Sequence, residues 1–227
     1  MITPKRTVPK WPKAIAPLLA HYAGRKHPLE YANRFQLLVM VVLSSRTTDK
    51  SINALAPELF RRFPSIPSIA AAQPEDLYPF VKKVPGFVKK ANWLVGIARA
   101  VGNDSAIPKT VDELTKLPGI GRKSANVIVS ESGGEMTGVI VDLHVLRAAP
   151  RIGIAKGTAP EKVEQELMRA VPREQWRDLG MSLTFLGREL CRPTDPSCPL
   201  CPVEPSCRYA RKKSRPGKPR RTPRPPR

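Results

Sequence analysis

The stretch Leu117-Pro118-Gly119-Ile120-Gly121-Arg122-Lys123 decides the fold. It lies between two helical patterns. Upstream, Thr110-Val111-Asp112-Glu113 has the form of a capping box ahead of Leu114 and Leu117, which predicts a capped helix running to Leu117. Pro118 and Gly119 stop it. Downstream, Ala125, Ile128 and Val129 share one face of a second helix that starts at once. Gly119 and Gly121 permit positive φ and leave the backbone unshielded by side chains. The unit reads as helix, tight turn, helix. Backbone N–H groups that open the second helix point outward and can receive a phosphate, and Arg122 adds a cation. A plain αα-hairpin with a glycine turn has the same pattern, so the charge of the chain has to decide between the two.

That charge is large. The 227 residues hold 39 Lys and Arg against 19 Asp and Glu, a net +20. Such an excess points to a polyanionic partner and favours the phosphate-docking reading of the hairpin. It is also uneven. Residues 208–227 contain ten Lys or Arg, five Pro and no acid. A segment like that cannot bury enough apolar surface to order itself, so a disordered tail is expected. It would act either as a salt-sensitive grip on phosphates or as a solubilising terminus. The body stays basic without it. The chain is 41% hydrophobic, enough for an ordinary core in one large or two small domains. The longest apolar run, Leu37 to Leu43, is too short to span a bilayer. The basic N-terminus (Lys5, Arg6, Lys10, Lys13) lacks the apolar segment of a leader peptide. An intracellular protein with no membrane partner is expected.

Elsewhere the pattern is helical. Apolar residues recur at helical spacing in Phe35–Leu38–Val42, Leu55–Leu59, Trp93–Ile97 and Val163–Leu167. A second capping-box pattern, Thr158-Ala159-Pro160-Glu161, precedes Val163, Leu167 and Val171. Strand-like alternation is nearly absent. The expected architecture is an all-α body, then a cysteine-rich loop, then the tail.

The loop holds all four cysteines, Cys191, Cys198, Cys201 and Cys207, spaced C-x6-C-x2-C-x5-C. Pro193, Pro196, Pro199, Pro202 and Pro205 stand among them and oppose regular structure, so something else must hold the loop. Two disulfides suit a small secreted domain, not this chain. A zinc site usually shows two C-x2-C pairs, or one with histidines, whereas here there is one pair and no histidine beside it. An iron–sulfur cubane accepts four thiolates at unequal spacing. The spacing favours the cubane and leaves zinc open. Either centre would serve to fix the loop, because metal-binding energy becomes folding energy.

Two residues beside the hairpin carry possible chemistry. Lys123 falls in the first turn of the second helix, where the helix dipole disfavours a cation. Partial burial would lower its pKa further and make it an amine nucleophile. On its own it reads more readily as a phosphate contact. Asp142 separates Val139-Ile140-Val141 from Leu143-His144-Val145-Leu146-Arg147. Its commonplace role is a helix N-cap, which is compatible with stabilising a cation that develops nearby. His144 reads as a core or supporting residue rather than a base.

Taken together, Leu117–Asn126, the segment Val141-Asp142-Leu143-His144-Val145 and the cysteine spacing resemble the endonuclease III family of helix-hairpin-helix DNA glycosylase/AP lyases. The resemblance runs in order from Tyr31 to Cys207. It implies an all-α, two-lobed fold with DNA in the cleft between the lobes. Residues 27–136 would form a six-helix barrel with the hairpin. Residues 1–26 and 137–209 would form a discontinuous lobe holding a [4Fe–4S] cluster, followed by the disordered basic tail 210–227. Lys123 matches the family's nucleophile and Asp142 its catalytic aspartate, while Cys191, Cys198, Cys201 and Cys207 match the cluster ligands. Gly119, Gly121, Arg122 and His144 fall at DNA-contacting positions.

There are departures from the pattern. Leu43-Ser44-Ser45-Arg46-Thr47-Thr48-Asp49 resembles the family's Leu-Ser-Ala-Gln-Ala-Thr-Asp, with Arg46 in place of the glutamine that fills the space of the flipped base. Gly86-Phe87-Val88-Lys89-Lys90-Ala91 resembles the wedge loop, one residue shorter, with Phe87 or Val88 as the wedge. The family's Thr between the catalytic Asp and His is Leu143 here. The implied activity is bifunctional: removal of damaged bases, oxidised pyrimidines above all, and β-elimination through a lysine Schiff base. The partner would be double-stranded DNA carrying damaged bases or abasic sites. The protein would be a monomer in a bacterial-type cytoplasm, at the nucleoid. A monofunctional glycosylase, or a non-enzymatic DNA clamp built on the hairpin, are the other readings.

Overall fold

In a computed structural model of the chain, residues 10–213 are described. Among them there are helices and turns and no strand. In chain order the α-helices are α1 (Trp11–His21), α2 (Arg34–Ser44), α3 (Asp49–Arg62), α4 (Ile66–Ala70), α5 (Pro74–Val81), α6 (Phe87–Val101), α7 (Val111–Leu114), α8 (Arg122–Glu131), α9 (Leu143–Ile152), α10 (Pro160–Ala170), α11 (Trp176–Glu189) and α12 (Arg208–Lys213). The described residues fall into two compact units: 10–23 with 141–213, and Gly24–Ile140.

In Gly24–Ile140 the centre is α2. Asn33 caps it by accepting from the Gln36 N–H. Phe35 and every residue from Leu37 to Leu43 are buried. A helix apolar all round has to be enclosed, and α3, α6 and α8 pack on it. Each such side chain contributes about 1.5–3 kcal/mol relative to exposure. The longest apolar run is therefore the middle of a core. No helix among the described residues is long and apolar enough to cross a membrane. Of the predicted stripes, Phe35, Leu38, Val42, Leu59, Ile97, Val163 and Leu167 are buried, while Leu55 and Trp93 are half-buried.

In the other unit α9 and α11 form the main pair. They approach closely at Gly187, where an added Cβ would lie 2.7 Å from the His144 Cβ. A side chain at position 187 would force the two helices apart.

Three local expectations are corrected. The helix ahead of the hairpin stops at Leu114, and turns carry the chain from there to Leu117. The Thr158–Glu161 box does not form: α10 begins at Pro160, its N-cap is Ala159, and no side chain caps it. Proline at the first helical position, preset in φ, takes that start over. The predicted disordered tail begins too early, since α12 runs through residues 210–213. Ala210 is buried there, and Arg211 donates to the carbonyls of Ser206 and Cys207. Residues 214–227 of the tail lie outside the described residues.

Candidate functional site

The hairpin is built as a β-turn. Thr110 accepts from the Glu113 N–H and gives its hydroxyl proton to the Glu113 carboxylate at 2.7 Å. After α7, Ile120 N–H donates to the Leu117 carbonyl at 3.2 Å. Pro118 and Gly119 are the central residues, with Gly119 at φ +78°. This is the type II pattern, in which the third residue needs positive φ. Gly119 is required for a second reason. A Cβ on it would lie 2.4 Å from Cε3 of Trp93 on α6. The turn rests flat on that indole ring, and the Lys89 ammonium stands 5.0 Å from the ring centre.

Gly121 departs from expectation in its φ alone. Its φ is −86°, an ordinary extended value, and it caps α8 without a side chain. A Cβ there would meet nothing within 4 Å. What this glycine provides is open approach to the helix N-terminus. Arg122 and Lys123 follow it, both exposed. The partial burial expected for Lys123 is not supplied by the hairpin itself.

Asp142 is the N-cap of α9, as its sequence context suggests. Its Oδ1 accepts from the N–H groups of His144 at 2.8 Å and Val145 at 2.9 Å. Both bonds use one oxygen, so the cap does not engage Oδ2. His144 is half-buried, and its Nδ1 lies 3.2 Å from Nη2 of Arg147. Burial, opposed by the charge of Asp142, moves its pKa below the usual histidine range. His144 thus packs where α9 meets α11, against Gly187. Leu143, between the two, is 66% exposed.

Of the two wedge candidates, Phe87 is half-buried, edge-on to Tyr78 with ring centroids 5.2 Å apart. Val88 is 46% exposed. Arg46 is exposed at φ 62°, a left-handed conformation unusual for a side-chain-bearing residue.

All four cysteines are free thiols in this structure. They line one pocket together with Arg151, Leu186 and Tyr209. Short turns fold the loop. Cys201 N–H donates to the Cys198 carbonyl, Glu204 N–H to that of Cys201, and Cys207 N–H to that of Glu204. Two arginines from α9 hold it in place. Arg147 donates to the carbonyls of Cys191 (3.0 Å) and Gly187 (2.7 Å). Arg151 donates to those of Arg192 (2.6 Å) and Pro193 (3.0 Å), and lies 3.8 Å from the Cys191 sulfur. Burial pushes the Cys201 thiol up to about 11 and raises Cys207 as well. Without a bound cation these groups stay protonated, so loading the site must release protons.

Sequence reasoning missed Lys90 and Trp93 as supports of the site, and Arg147 and Arg151 as clamps. Lys90 was concealed by its charge, which predicts a solvated position. The arginines sit four apart on α9 and face a loop distant in sequence, which a helical pattern alone does not disclose.

Residues 39–173 match the profile of the HhH-GPD superfamily base excision DNA repair proteins. Endonuclease III of Bacillus subtilis is 35% identical over 192 residues, which is 83% of this chain and 87% of that protein. Endonuclease III of Synechocystis sp. is 33% identical over 179 residues, 78% of this chain and 82% of its own. A solved structure of a trapped endonuclease III–DNA covalent intermediate superposes with a TM-score of 0.83 at 30% identity, covering 93% of this chain and all of that one. The chain belongs to the endonuclease III family, and its activity is that of a base excision repair DNA glycosylase and AP lyase.

Proposed function

We propose that the chain removes oxidised pyrimidines from double-stranded DNA and then cuts the strand, with Lys123 as nucleophile and Asp142 as the carboxylate beside the developing cation. The observation that carries this is the placement of Lys123. It stands exposed on the first turn of α8, behind a glycine cap that leaves the helix N-terminus open to a phosphate. A bound backbone would deliver a sugar to this amine.

A base inside a duplex is out of reach of a side chain, so the nucleotide is first extruded. The Lys123 lone pair forms a bond to C1′ as the glycosidic bond breaks, and the departing base takes its electron pair and a proton. The negative charge of Asp142 favours the cationic sugar and draws a proton from the lysine. Opening of the sugar ring gives an iminium. Loss of a C2′ proton then expels the 3′ phosphate by β-elimination, and water releases the lysine. Arg46 and Val88 fill the vacated stack.

The cysteine centre suits a [4Fe–4S] cluster. One pocket is lined by all four thiols. Such a cubane accepts four thiolates at unequal spacing on one segment, whereas structural zinc usually takes two close pairs or one pair with histidines. When bound, the cluster supplies the cross-link that fixes the loop. The protein works as a monomer in the cytoplasm, at the chromosome.

Borohydride added during turnover reduces the Schiff base to a stable amine. A gel then shows a covalent protein–DNA adduct with the native chain and none with Lys123→Gln, whose strand cleavage drops by at least about 10³-fold. An undiminished adduct in that variant would move the nucleophile to another amine, and no adduct with the native chain would leave a DNA clamp.

A further inference from the structure

Lys90 is 4% exposed, an uncommon state for a lysine. Its Nζ donates to the Leu43 carbonyl at 2.8 Å and the Ser45 carbonyl at 2.5 Å. Those oxygens belong to the C-terminal end of α2, where carbonyls lack helical partners and carry partial negative charge. No basic residue of α2 lies in its last turn, so α6 supplies the cation. The next residue, Arg46, holds the left-handed position that glycine usually takes after a helix. A residue kept in that region costs roughly 1–2 kcal/mol and persists only where its surroundings determine it. Lys90 also hydrogen-bonds through its own N–H to the Gly86 carbonyl, within the first turn of α6 that presents Val88. Burial, and secondarily the Arg46 charge, holds its ammonium below the usual lysine range.

We propose that Lys90 is a positioning residue that locks the Arg46 turn to the first turn of α6, so that Arg46 and Val88 enter the DNA stack as one rigid pair. This rests on the reading of Arg46 as the residue that fills the vacated stack. Lys90 touches no substrate. It fixes the distance between two side chains that must arrive together, and loss of that alignment should slow base extrusion far more than chemistry on a site that has no base to unstack.

The test is a double-mutant cycle of Lys90→Met and Arg46→Ala, read on a duplex with one thymine glycol and on the same duplex with an abasic site. Each single variant is expected to lower thymine glycol excision on the order of tenfold and abasic cleavage by much less. The double variant should be no slower than Arg46→Ala alone. Equal loss on both duplexes, tracking the fraction of folded protein, would reduce Lys90 to a structural residue and overturn the proposal, as would effects that simply multiply. Full excision by Arg46→Ala would instead sink the stack-filling reading. If Lys90→Met does not fold, Lys90→Gln, which keeps an N–H donor, enters the same cycle.

Discussion

The hairpin turn of the unit Gly24–Ile140 is held by carbon: Pro118 lies 3.5 Å from where a Cβ on Gly96 would be, and Gly119 sits against the Trp93 ring. The cysteine loop of the other unit is held by nitrogen: Arg147 and Arg151 hydrogen-bond to its carbonyls, and of residues 191–207 only Pro196, Val203 and Cys207 are buried. Its one leucine, Leu200, is 72% exposed. Apolar contact with α6 is enough to keep the turn in shape before DNA arrives. Arginine clamps aim the cysteine loop without supplying the burial that makes a loop rigid, and the proposed cluster would make up the difference.

The largest effect should come from breaking the loop. Cys201→Ala is expected to abolish the brown colour of the purified protein and to cost more than about 5 kcal/mol locally. Hydrogen exchange reads this directly. The amides of Cys191, Ser197 and Cys207, bonded in the present fold, should lose protection, while those of α2 and α8 keep theirs. Unchanged protection would mean the arginines suffice, and the contrast between the two loops would vanish.

A smaller and sharper effect separates the two hairpin glycines. Gly119→Ala must bear both positive φ and overlap with Trp93, together about 3 kcal/mol of stability. Gly121→Ala has an ordinary φ and open space, so it should cost under about 1 kcal/mol. It should nevertheless weaken DNA binding by crowding the α8 N-terminus. Thermal melts and binding isotherms on the two variants check this. Equal melting shifts would show that the turn does not rest on the indole as described.

The sequence disclosed the hairpin, the cap at Asp142 and the cysteine set because each is local. Pro-Gly fixes a turn, Asp before an apolar helix is a cap, and spacing is read by counting. It misled on the φ of Gly121, where only the expected clearance holds, and at Thr158, where Pro160 claimed the helix start. Lys90 and Trp93 stayed hidden for a different reason. Their roles exist only across helices: Lys90 reaches carbonyls forty-five and forty-seven positions earlier, and Trp93 lies under a turn twenty-six residues on. In one unit, α6 thus carries Val88, the anchor of Arg46 and the seat of the hairpin. A run that reads as Phe-Val-Lys-Lys-Ala gives no sign of this convergence.

Asp142 tests the contrast most finely, since the side chain that caps α9 is also the carboxylate proposed for the chemistry. The cap needs an oxygen that accepts from two N–H groups, and asparagine offers one as good. The only stability lost in Asp142→Asn is the attraction of a negative charge to the helix N-terminus, about 0.3–1 kcal/mol. The proposed chemistry needs the charge itself, to favour a cationic sugar and draw the lysine proton, and its loss should slow cleavage by about 10²–10³-fold. Asp142→Asn should therefore melt close to the native chain, bind abasic duplex normally and cut it poorly. Asp142→Ala should cut equally poorly and also lose about 1 kcal/mol from the cap. If Asp142→Asn cuts at the native rate, the carboxylate is architecture alone, and the cation must be stabilised by some other group.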